Sequence, residues 1–280
     1  MITRLKQIIK RTLFRPERRV LVPVQVPIFS NSLLRGRYAL ITGGSKGIGF
    51  AIARAFVNAG CNVHITGRDV SSLEKAVADL SKDDVAISFT SLDSKKPELF
   101  DDAICKMLTS FGPIDILVNN AGVNDYAIFP DVEVESYNHV MDTNLRGSFF
   151  MAQAFAKHCV NLSVKTNILN ICSSSSLRPG INPYVFSKWG MRSMTVGLAK
   201  KLAKKNCVVN GLAPGLTSVD RVCDGKDGIE WNRSPASRMA TPEEIANMAV
   251  ILVSDISRMV IGDVVFMTGG MGVVTVDDNM

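Results

Sequence analysis

A glycine-rich loop follows directly on the first apolar run of the chain, and this order strongly limits the fold. The run Tyr38–Thr42 has the length and composition of a buried strand, and the helical pattern Ile48–Ala59 begins within the loop. Gly43 permits a tight turn, Gly47 lets the backbone approach a ligand, and Gly49 allows the helix to pack closely on the strand. This order directs free backbone N–H groups and the positive helix end towards a phosphate, so it favours dinucleotide binding.

Short apolar runs alternate with helical patterns along the rest of the chain. This alternation predicts an α/β fold with a doubly wound parallel sheet of seven strands and helices on both faces. The predicted strands are Tyr38–Thr42, Asn62–Thr66, Ala86–Ser91, Ile114–Asn119, Asn167–Cys172, Val208–Leu212 and Val264–Thr268. The predicted helices are Ile48–Ala59, Val70–Leu80, Pro97–Ser110, Val134–Lys157, Pro183–Lys204 and Pro242–Val253. The long interval Leu216–Met239 has neither periodicity, and we expect it to form a substrate loop.

Length and charge divide the chain into two parts. The 280 residues, with 46% hydrophobic content, can bury one large core, so we expect a single domain over residues 37–280. Residues 1–36 form a basic extension in which eight Lys or Arg side chains face one Glu, a net charge of +7. Because the whole chain carries +6, the domain itself is nearly neutral at −1, which argues against a nucleic-acid partner.

The basic extension places apolar residues near helical spacing among its cations, and three interpretations stay open. It packs as an arm on a neighbouring subunit, contacts an anionic membrane surface through residues 1–19, or serves as an organelle-targeting peptide. No apolar run approaches the roughly 20 residues that a bilayer-spanning helix needs. We expect a cytoplasmic protein, with peripheral membrane association through this extension as the alternative.

The six cysteines and three histidines are scattered along the chain without a metal-ligand spacing. No C-x-x-C motif occurs, and several cysteines lie inside apolar runs. This usage is typical of a reducing compartment and predicts that the protein has no metal site.

The end of the second predicted strand indicates which dinucleotide binds. An acidic residue at this point accepts a hydrogen bond from the adenosine ribose, whereas cations hold a 2′-phosphate. Arg68 is the first charged residue after the strand, and Lys46 lies in the glycine loop. We therefore predict NADP(H). NAD(H) is the alternative, in which Arg68 is solvated and Asp69 binds the ribose.

Tyr184 and Lys188 lie one turn apart in the predicted helix Pro183–Lys204. Hydride transfer to a carbonyl leaves charge on oxygen, so such a site needs a proton donor and a second donor that positions the oxygen. Tyr184 is suited to donate the proton, and a serine hydroxyl can position the oxygen. A nearby ammonium favours an ionised phenol, so Lys188 would ease proton transfer near neutrality.

Six motifs follow one another along the chain. They are Thr42-Gly43-(x3)-Gly47-(x)-Gly49, Asn119-Asn120-Ala121-Gly122, Asn144-Leu145-Arg146-Gly147, the serine run from Ser173, Tyr184-(x3)-Lys188, and Pro214-Gly215. In this order they resemble the classical short-chain dehydrogenases/reductases, and members like the 3-oxoacyl-acyl-carrier-protein reductases, over residues 37–270. The resemblance implies a Rossmann-type fold, a nicotinamide cofactor, oxidoreduction of carbonyl and secondary alcohol groups, and a homotetramer or homodimer built on the helices Val134–Lys157 and Pro183–Lys204.

The same resemblance implies roles for individual residues. The implied catalytic residues are Ser173, Tyr184, Lys188 and Asn144, where Asn144 would hold a water that connects Lys188 to solvent. The implied cofactor-binding residues are Gly43, Ser45, Lys46, Gly47, Ile48, Gly49, Arg68, Asp93, Asn120, Ala121, Gly122, Tyr184, Lys188, Pro214, Gly215 and Thr217.

Two departures from the family pattern leave details open. The eleven positions from Ser173 to Tyr184 are fewer than usual, so the serine register within Ser173–Ser176 is uncertain, although counting from Asn170 favours Ser173. Val219 stands where many relatives carry a threonine that contacts the cofactor carboxamide, a contact for which Thr217 or Ser218 would substitute.

The sequence defines the substrate least. A mostly apolar set of residues is expected to face it and suits a carbonyl compound or secondary alcohol. A 3-oxoacyl thioester, a steroid-like ketone and a sugar-derived ketone all stay open, and the loop cations either attract an acidic carrier group or form a solvated face. The expected substrate-facing residues are Val123, Leu177, Ile181, Asn182, Trp231 and Met239, and the cations are Arg221, Lys226, Arg233 and Arg238.

Two function classes other than an enzyme are consistent with such a chain. One is a non-catalytic dinucleotide-binding protein with a regulatory or scaffold role, and the other is a peripheral membrane interaction protein. The Tyr184–Lys188 pair together with Asn144 argues against the first, because a protein without catalysis has no physical need for all three. The nearly neutral domain argues against the second.

Overall fold

Parallel strands form a single sheet through the middle of the protein. The computed structural model describes residues 32–125, 127–161, 163–219 and 228–272. Within these residues the strands are β1 (Tyr38–Thr42), β2 (Asn62–Gly67), β3 (Ile87–Ser91), β4 (Ile116–Asn119), β5 (Thr166–Ile171), β6 (Cys207–Pro214) and β7 (Val264–Met267). All seven are parallel to their neighbours and lie in the order β3-β2-β1-β4-β5-β6-β7.

The helices confirm the predicted alternation with strands. Within the described residues they are α1 (Gly47–Asn58), α2 (Val70–Leu80), α3 (Phe100–Ser110), α4 (Val134–Met141), α5 (Gly147–His158), α6 (Pro183–Leu202) and α7 (Pro242–Val253). α7 shows how sequence sets a helix start, because Thr241 and Glu244 form a reciprocal capping box around Pro242. Among the described residues, no helix is long and apolar enough to cross a membrane.

Both faces of the sheet are covered by helices. Side chains alternate along a strand, so Ala39 and Ile41 pack with α1, α2 and α7, while Leu40 packs with α3, α5 and α6. All three side chains are fully buried. Burial on both faces explains why the strands appear in the sequence as continuous apolar runs.

The order of the strands creates a crevice at one edge of the sheet. The chain winds from β1 outwards to β3 and then returns to place β4 beside β1 on the other side. In doubly wound sheets, ligands bind outside the carboxyl ends of the strands where the winding direction changes. The glycine loop after β1 and the Asn120 segment after β4 lie at this point.

One predicted helix differs from the structure. The pattern over Val134–Lys157 predicts a single helix, whereas a π-helical turn at Asp142–Arg146 separates α4 from α5. A π-helical turn widens the helix by one residue and often occurs at functional sites. Here it holds Asn144, which is buried with 1% of its surface exposed. The spacing of apolar residues does not distinguish this turn from α-helix.

The basic extension up to residue 31, with its three interpretations, lies outside the described residues, as do Arg221, Cys223 and Lys226 in the predicted substrate loop. Two isolated β-bridges order the described parts of that loop. Thr217 bridges Ala240, and Glu230 bridges Arg238.

Candidate active site

The predicted site residues collect at the carboxyl edge of the sheet. Each strand from β1 to β6 ends at or just before one of them. In strand order β1 to β6, these residues are Gly43, Arg68, Asp93, Asn120, Ser173 and Pro214.

The glycine loop is pressed against the segment that follows β4. Asn120 Nδ2 donates to the carbonyl oxygens of Thr42 at 2.9 Å and Gly43 at 3.0 Å. A Cβ on Gly49 would lie 2.3 Å from the Gly43 oxygen and 2.4 Å from Asn120 Nδ2. Gly43 itself adopts a φ of 65°, which suits glycine. The loop therefore has no room for a side chain at Gly49, as the close packing predicted there requires.

The hydroxyl of Thr42 connects the same two segments and was not singled out by its sequence position. Its Oγ1 accepts from the backbone N–H groups of Asn120 and Ala121, both at 3.0 Å, and donates to the Val118 carbonyl at 3.3 Å. The side chain is buried. A threonine that ends an apolar strand beside a glycine loop is the only sequence signal for this role.

The start of α1 fits a phosphate group. Lys46 occupies the position before the helix but makes no side-chain capping hydrogen bond, and the first turn holds no acidic residue. The first N–H groups of a helix lack partners within the helix, so they bind an anion readily. This helix end would supply hydrogen-bond donors to the pyrophosphate of a nicotinamide dinucleotide.

The acidic residue after β2 is engaged in local structure. Asp69 caps α2, since its Oδ1 accepts from Ser72 N at 2.7 Å and from Ser71 Oγ at 2.9 Å. The Ser72 hydrogen bonds are the main reason that the pKa of Asp69 is lowered, and the charge of Lys46 lowers it further. Arg68 is exposed beside it. The two cations predicted at the ribose end therefore lie close to a carboxylate that holds the helix.

Asp93 lies two residues after β3 and is half-buried. Its Oδ1 accepts from the backbone N–H of Lys95 at 3.0 Å, and its carbonyl accepts from Lys96 at 3.0 Å. The residue thus shapes the turn at the adenine end predicted from the family pattern.

Lys188 is fixed in the interior between α6 and β5. Its Nζ donates to the carbonyl of Ile171, the last residue of β5, at 2.9 Å, and the side chain is only 6% exposed. The same ammonium lies 5.7 Å from the ring centroid of Tyr184. Tyr184 is half-buried in the first turn of α6, where Asn182 caps the helix by accepting from Val185 N at 2.9 Å.

Ser173 follows β5 by two residues and begins a short turn. Its Oγ accepts from Ser175 N at 3.1 Å, and its carbonyl accepts from Ser176 Oγ at 2.7 Å. Ser173 is 8% exposed and Ser176 is fully buried. Within the described residues, the side chains of Ser173, Tyr184 and Lys188 make no direct hydrogen bond to one another; Ser173 Oγ bonds to Ser175 N, and Lys188 Nζ bonds to the Ile171 carbonyl.

Asn144 joins the π-helical turn to two other parts of the site. Its side chain pairs with the backbone of Val123, and its Nδ2 also donates to Ser187 Oγ at 3.1 Å. Ser187 in turn donates to the carbonyl of Tyr184 at 2.7 Å. A Cβ added to Gly122 would lie 3.4 Å from Asn144 Oδ1, so the glycine leaves the amide its space. The buried Ser187 is a further residue that the sequence did not indicate.

A second buried polar chain runs beneath the site. Asn119 and Asn170 are paired across β4 and β5, and Asn119 Nδ2 donates to Asn170 Oδ1 at 3.0 Å. Asn170 Nδ2 then donates to Thr195 Oγ1 at 3.0 Å. All three are at most 1% exposed. Polar residues at the ends of two apolar strands were their only sequence signal.

The segment after β6 closes the site from the other side. A Cβ on Gly215 would lie 2.9 Å from Thr268 Cα, so this turn packs tightly on the end of β7. Thr217 is buried and donates to the Gly215 carbonyl at 3.2 Å, whereas Ser218 is half-buried. Val219 approaches the glycine loop, since its Cγ1 lies 3.7 Å from a Cβ built on Gly47.

The predicted substrate-facing residues fall into two groups. Val123, Leu177 and Trp231 are half-buried, and Ile181 is 56% exposed, so these side chains have surface to offer a ligand. The other two are occupied by the fold, because Asn182 caps α6 and Met239 is only 7% exposed.

The chain is similar to proteins of known function. The short chain dehydrogenase family model matches residues 37–226. Gluconate 5-dehydrogenase of Gluconobacter oxydans is 33% identical over 247 residues, which cover 86% of this chain and 96% of the relative. The 3-oxoacyl-acyl-carrier-protein reductase of Chlamydia muridarum is 36% identical over 247 residues, covering 86% of this chain and 99% of the relative.

A solved structure extends the comparison to three dimensions. The gluconate 5-dehydrogenase from Burkholderia cenocepacia, in complex with NADP and tartrate, superposes with a TM-score of 0.80 at 32% identity, covering 88% of this chain and 99% of that one. The chain therefore belongs to the short-chain dehydrogenase family and is an oxidoreductase that acts on carbonyl or alcohol groups with a nicotinamide cofactor.

Proposed function

We propose that the protein interconverts a ketone and a secondary alcohol with NADP(H), and that Tyr184 transfers the proton. The observation that carries this proposal is the hydrogen bond from Lys188 Nζ to the Ile171 carbonyl at 2.9 Å. It anchors a buried ammonium between the phenol of Tyr184 and the strand end that leads into Ser173. Three groups with complementary chemistry thus lie at one end of the sheet.

Each side chain has a distinct task in reduction. The nicotinamide cofactor, when bound, supplies the hydride. Tyr184 gives its proton to the carbonyl oxygen as negative charge develops there, and Ser173 donates a hydrogen bond that holds this oxygen. The Lys188 ammonium stabilises the negative charge that develops on the Tyr184 oxygen as the proton leaves. In the reverse direction Tyr184 accepts the alcohol proton.

Asn144 positions the site from the π-helical turn. Its amide bonds to Val123 and Ser187 keep the segment after β4 in register with the first turn of α6. Asn144 holds the backbone of Tyr184 through Ser187, whose hydroxyl donates to the Tyr184 carbonyl.

The preference for NADP(H) is supported by the charges after β2. Arg68 is exposed and Lys46 is close enough to affect Asp69, so both cations can reach a 2′-phosphate. Asp69, the residue that would favour NAD(H), accepts two hydrogen bonds within α2. The Burkholderia cenocepacia relative in complex with NADP supports the same preference.

The test compares Tyr184→Phe with Tyr137→Phe, a matched removal of a phenolic hydroxyl from the exposed Tyr137 of α4. Both variants and the wild type are assayed at the NADPH absorbance with a panel of 3-oxoacyl thioesters, 5-ketogluconate and simple ketones. We expect Tyr184→Phe to bind NADPH normally and to lose about 10²- to 10⁴-fold in turnover, with Tyr137→Phe unaffected.

Near-normal turnover by Tyr184→Phe would rule out its role as proton donor. Tight NADPH binding by the wild type with no turnover across the panel would instead favour a non-catalytic dinucleotide-binding protein.

We also propose that the protein forms a homo-oligomer through α4, α5 and α6. An apolar groove of about 530 Å³ runs between these helices and is lined by Leu145, Phe149 and Met194. Phe149, which lines this groove, is 45% exposed. An apolar surface of this kind favours burial against a second copy.

A reducing, cytoplasmic location is supported by the cysteines. The five that the structure describes are free thiols, and four of them are buried.

A further inference from the structure

Two side chains of α6 hold the turn that carries Ser173. Arg192 donates from Nη1 to the carbonyl of Ser176 at 3.0 Å, and Trp189 donates from Nε1 to the carbonyl of Arg178 at 2.9 Å. The two acceptors lie within and just after the short helical turn at Ser174–Leu177. Trp189 and Arg192 are three positions apart and therefore face the same side of α6.

Arg192 is itself held in place by two aromatic rings. The guanidinium carbon lies 5.4 Å from the ring centroid of Trp189 and 5.4 Å from that of Phe266 in β7. A planar guanidinium stacks on such rings and keeps its N–H groups free to bond in a fixed direction. The half-buried Arg192 thus joins α6, β7 and the serine turn.

Hydrogen bonds inside the turn connect Ser176, whose carbonyl Arg192 binds, to Ser173. Ser176 donates to the Ser173 carbonyl from both its backbone N, at 3.0 Å, and its Oγ, at 2.7 Å. Ser175 N donates to Ser173 Oγ at 3.1 Å. Because Ser176 is fully buried, a shift of its backbone must also shift Ser173.

We call the hydrogen bonds from Arg192 and Trp189 to this turn the clamp. Both residues belong to α6, the helix that carries Tyr184 and Lys188. The chain between the turn and this helix is short and closely packed, since a Cβ on Gly180 would lie 2.2 Å from Val185 Cγ1. A contact from α6 to the serine turn therefore fixes the two hydroxyl groups of the site relative to each other, across a link of few residues.

We propose that Arg192, supported by Trp189, is a positioning residue that sets the place of the Ser173 hydroxyl relative to Tyr184. This role rests on the proposed function, in which Ser173 holds the reacting oxygen. Arg192 acts through the Ser176 carbonyl and does not need to touch the substrate.

A double-mutant cycle tests the role. Arg192→Met should lower turnover about 10- to 100-fold, because an ångström-scale displacement of a reacting group has effects of this size, while the NADPH dissociation constant stays within about two-fold. Arg192→Lys keeps a hydrogen-bond donor but loses the planar group that lies against the rings. Its turnover should therefore lie between that of the wild type and that of Arg192→Met. In a Ser173→Ala background, Arg192→Met should change the residual turnover by less than about two-fold. An equal loss in both backgrounds would overturn the proposal.

Hydrogen exchange tests the clamp without any substrate. Exchange of the backbone amides at residues 175–178 should become at least about ten-fold faster in Arg192→Met. Arg54→Met is the matched control, because Arg54 also lies over a ring, that of Phe50, and pairs with Glu243 far from the turn. Unchanged exchange in Arg192→Met would refute the clamp. Faster exchange in a protein that reduces none of the panel would leave the clamp standing and refute the proposed function.

Discussion

The side-chain amide of Asn144 pairs with the backbone of Val123 through both of its ends. Asn144 Oδ1 accepts from Val123 N at 2.8 Å, and Nδ2 donates to the Val123 carbonyl at 2.9 Å. The Asn144 amide thus satisfies the N–H and the carbonyl of Val123, as the backbone of a neighbouring strand would do within a sheet. The segment that leaves β4 is thereby attached to the π-helical turn although it has left the sheet.

Asn144→Ala should lower the free energy of unfolding by about 2 to 4 kcal/mol. The substitution removes the partner of the part-buried Val123 N–H and carbonyl and of the buried Ser187 hydroxyl, and each buried group left without a partner costs about 1–3 kcal/mol. Urea denaturation at fixed protein concentration measures the change. Asn138→Ala, an exposed asparagine of α4, is the control and should stay within about 0.5 kcal/mol of wild type. Equal stability of the two variants would show that the paired amide is dispensable.

Arg68→Ala should weaken NADP(H) binding about 10- to 100-fold and leave NAD(H) binding nearly unchanged. A charge-assisted hydrogen bond to a phosphate contributes about 1.5–3 kcal/mol to binding. NAD(H) lacks the 2′-phosphate, so the substitution removes no such bond from its complex. Fluorescence titration of both cofactors measures the ratio. Lys75→Ala removes an exposed cation from the middle of α2 and serves as the control. An unchanged cofactor preference in Arg68→Ala would defeat the assignment.

Much of this arrangement could be predicted from the sequence, and for physical reasons. Apolar runs bounded by glycine and polar residues mark the seven strands, and a parallel sheet brings their carboxyl ends together. The positions of Tyr184 and Lys188 on one helix face follow from their spacing.

The contacts that orient these groups could not be predicted in the same way. Arg192 has the residue type of a solvated helix position, and only the approach of β7 places Phe266 against it. Ser187 and Thr42 are small polar residues whose partners come from distant parts of the chain. The π-helical turn at Asp142–Arg146 keeps the apolar spacing of an α-helix, so its extra residue leaves no mark in the pattern.

Stability should fall as the pH drops from about 6.5 to 4 because of His64. Its ring nitrogens lie 2.8 Å from Ser88 Oγ and 2.9 Å from Thr90 Oγ1, and burial lowers its pKa from 6.5 to about 4. The unfolded chain therefore takes up a proton in this window that the folded protein refuses, so stability is fully present above pH 6.5 and is lost towards pH 4. The lowered pKa corresponds to roughly 3 kcal/mol.

Urea denaturation across this pH range, compared between wild type and His64→Gln, measures the His64 contribution. The variant should lose that part of the pH dependence, whereas His139→Gln should keep it. Parallel curves for wild type and His64→Gln would contradict the expectation.

Phe149→Glu should convert the proposed homo-oligomer to smaller species. The side chain lines the apolar groove beside Leu145 and Met194, and a carboxylate there would have to lose its hydration when a second subunit docks. Light scattering after size-exclusion chromatography measures the mass, and the dissociation constant should rise at least about 100-fold. Leu99→Glu, at an exposed leucine before α3, should leave the mass unchanged. An unchanged mass for Phe149→Glu would exclude the groove as the interface.

The bond between Asn120 and the Thr42 carbonyl spans 78 positions along the chain. A ribosome therefore synthesises the glycine loop well before the residue that braces it. A nascent chain that ends before β4 lacks this brace, and the loop acquires it only after β4 has been synthesised and pairs with β1.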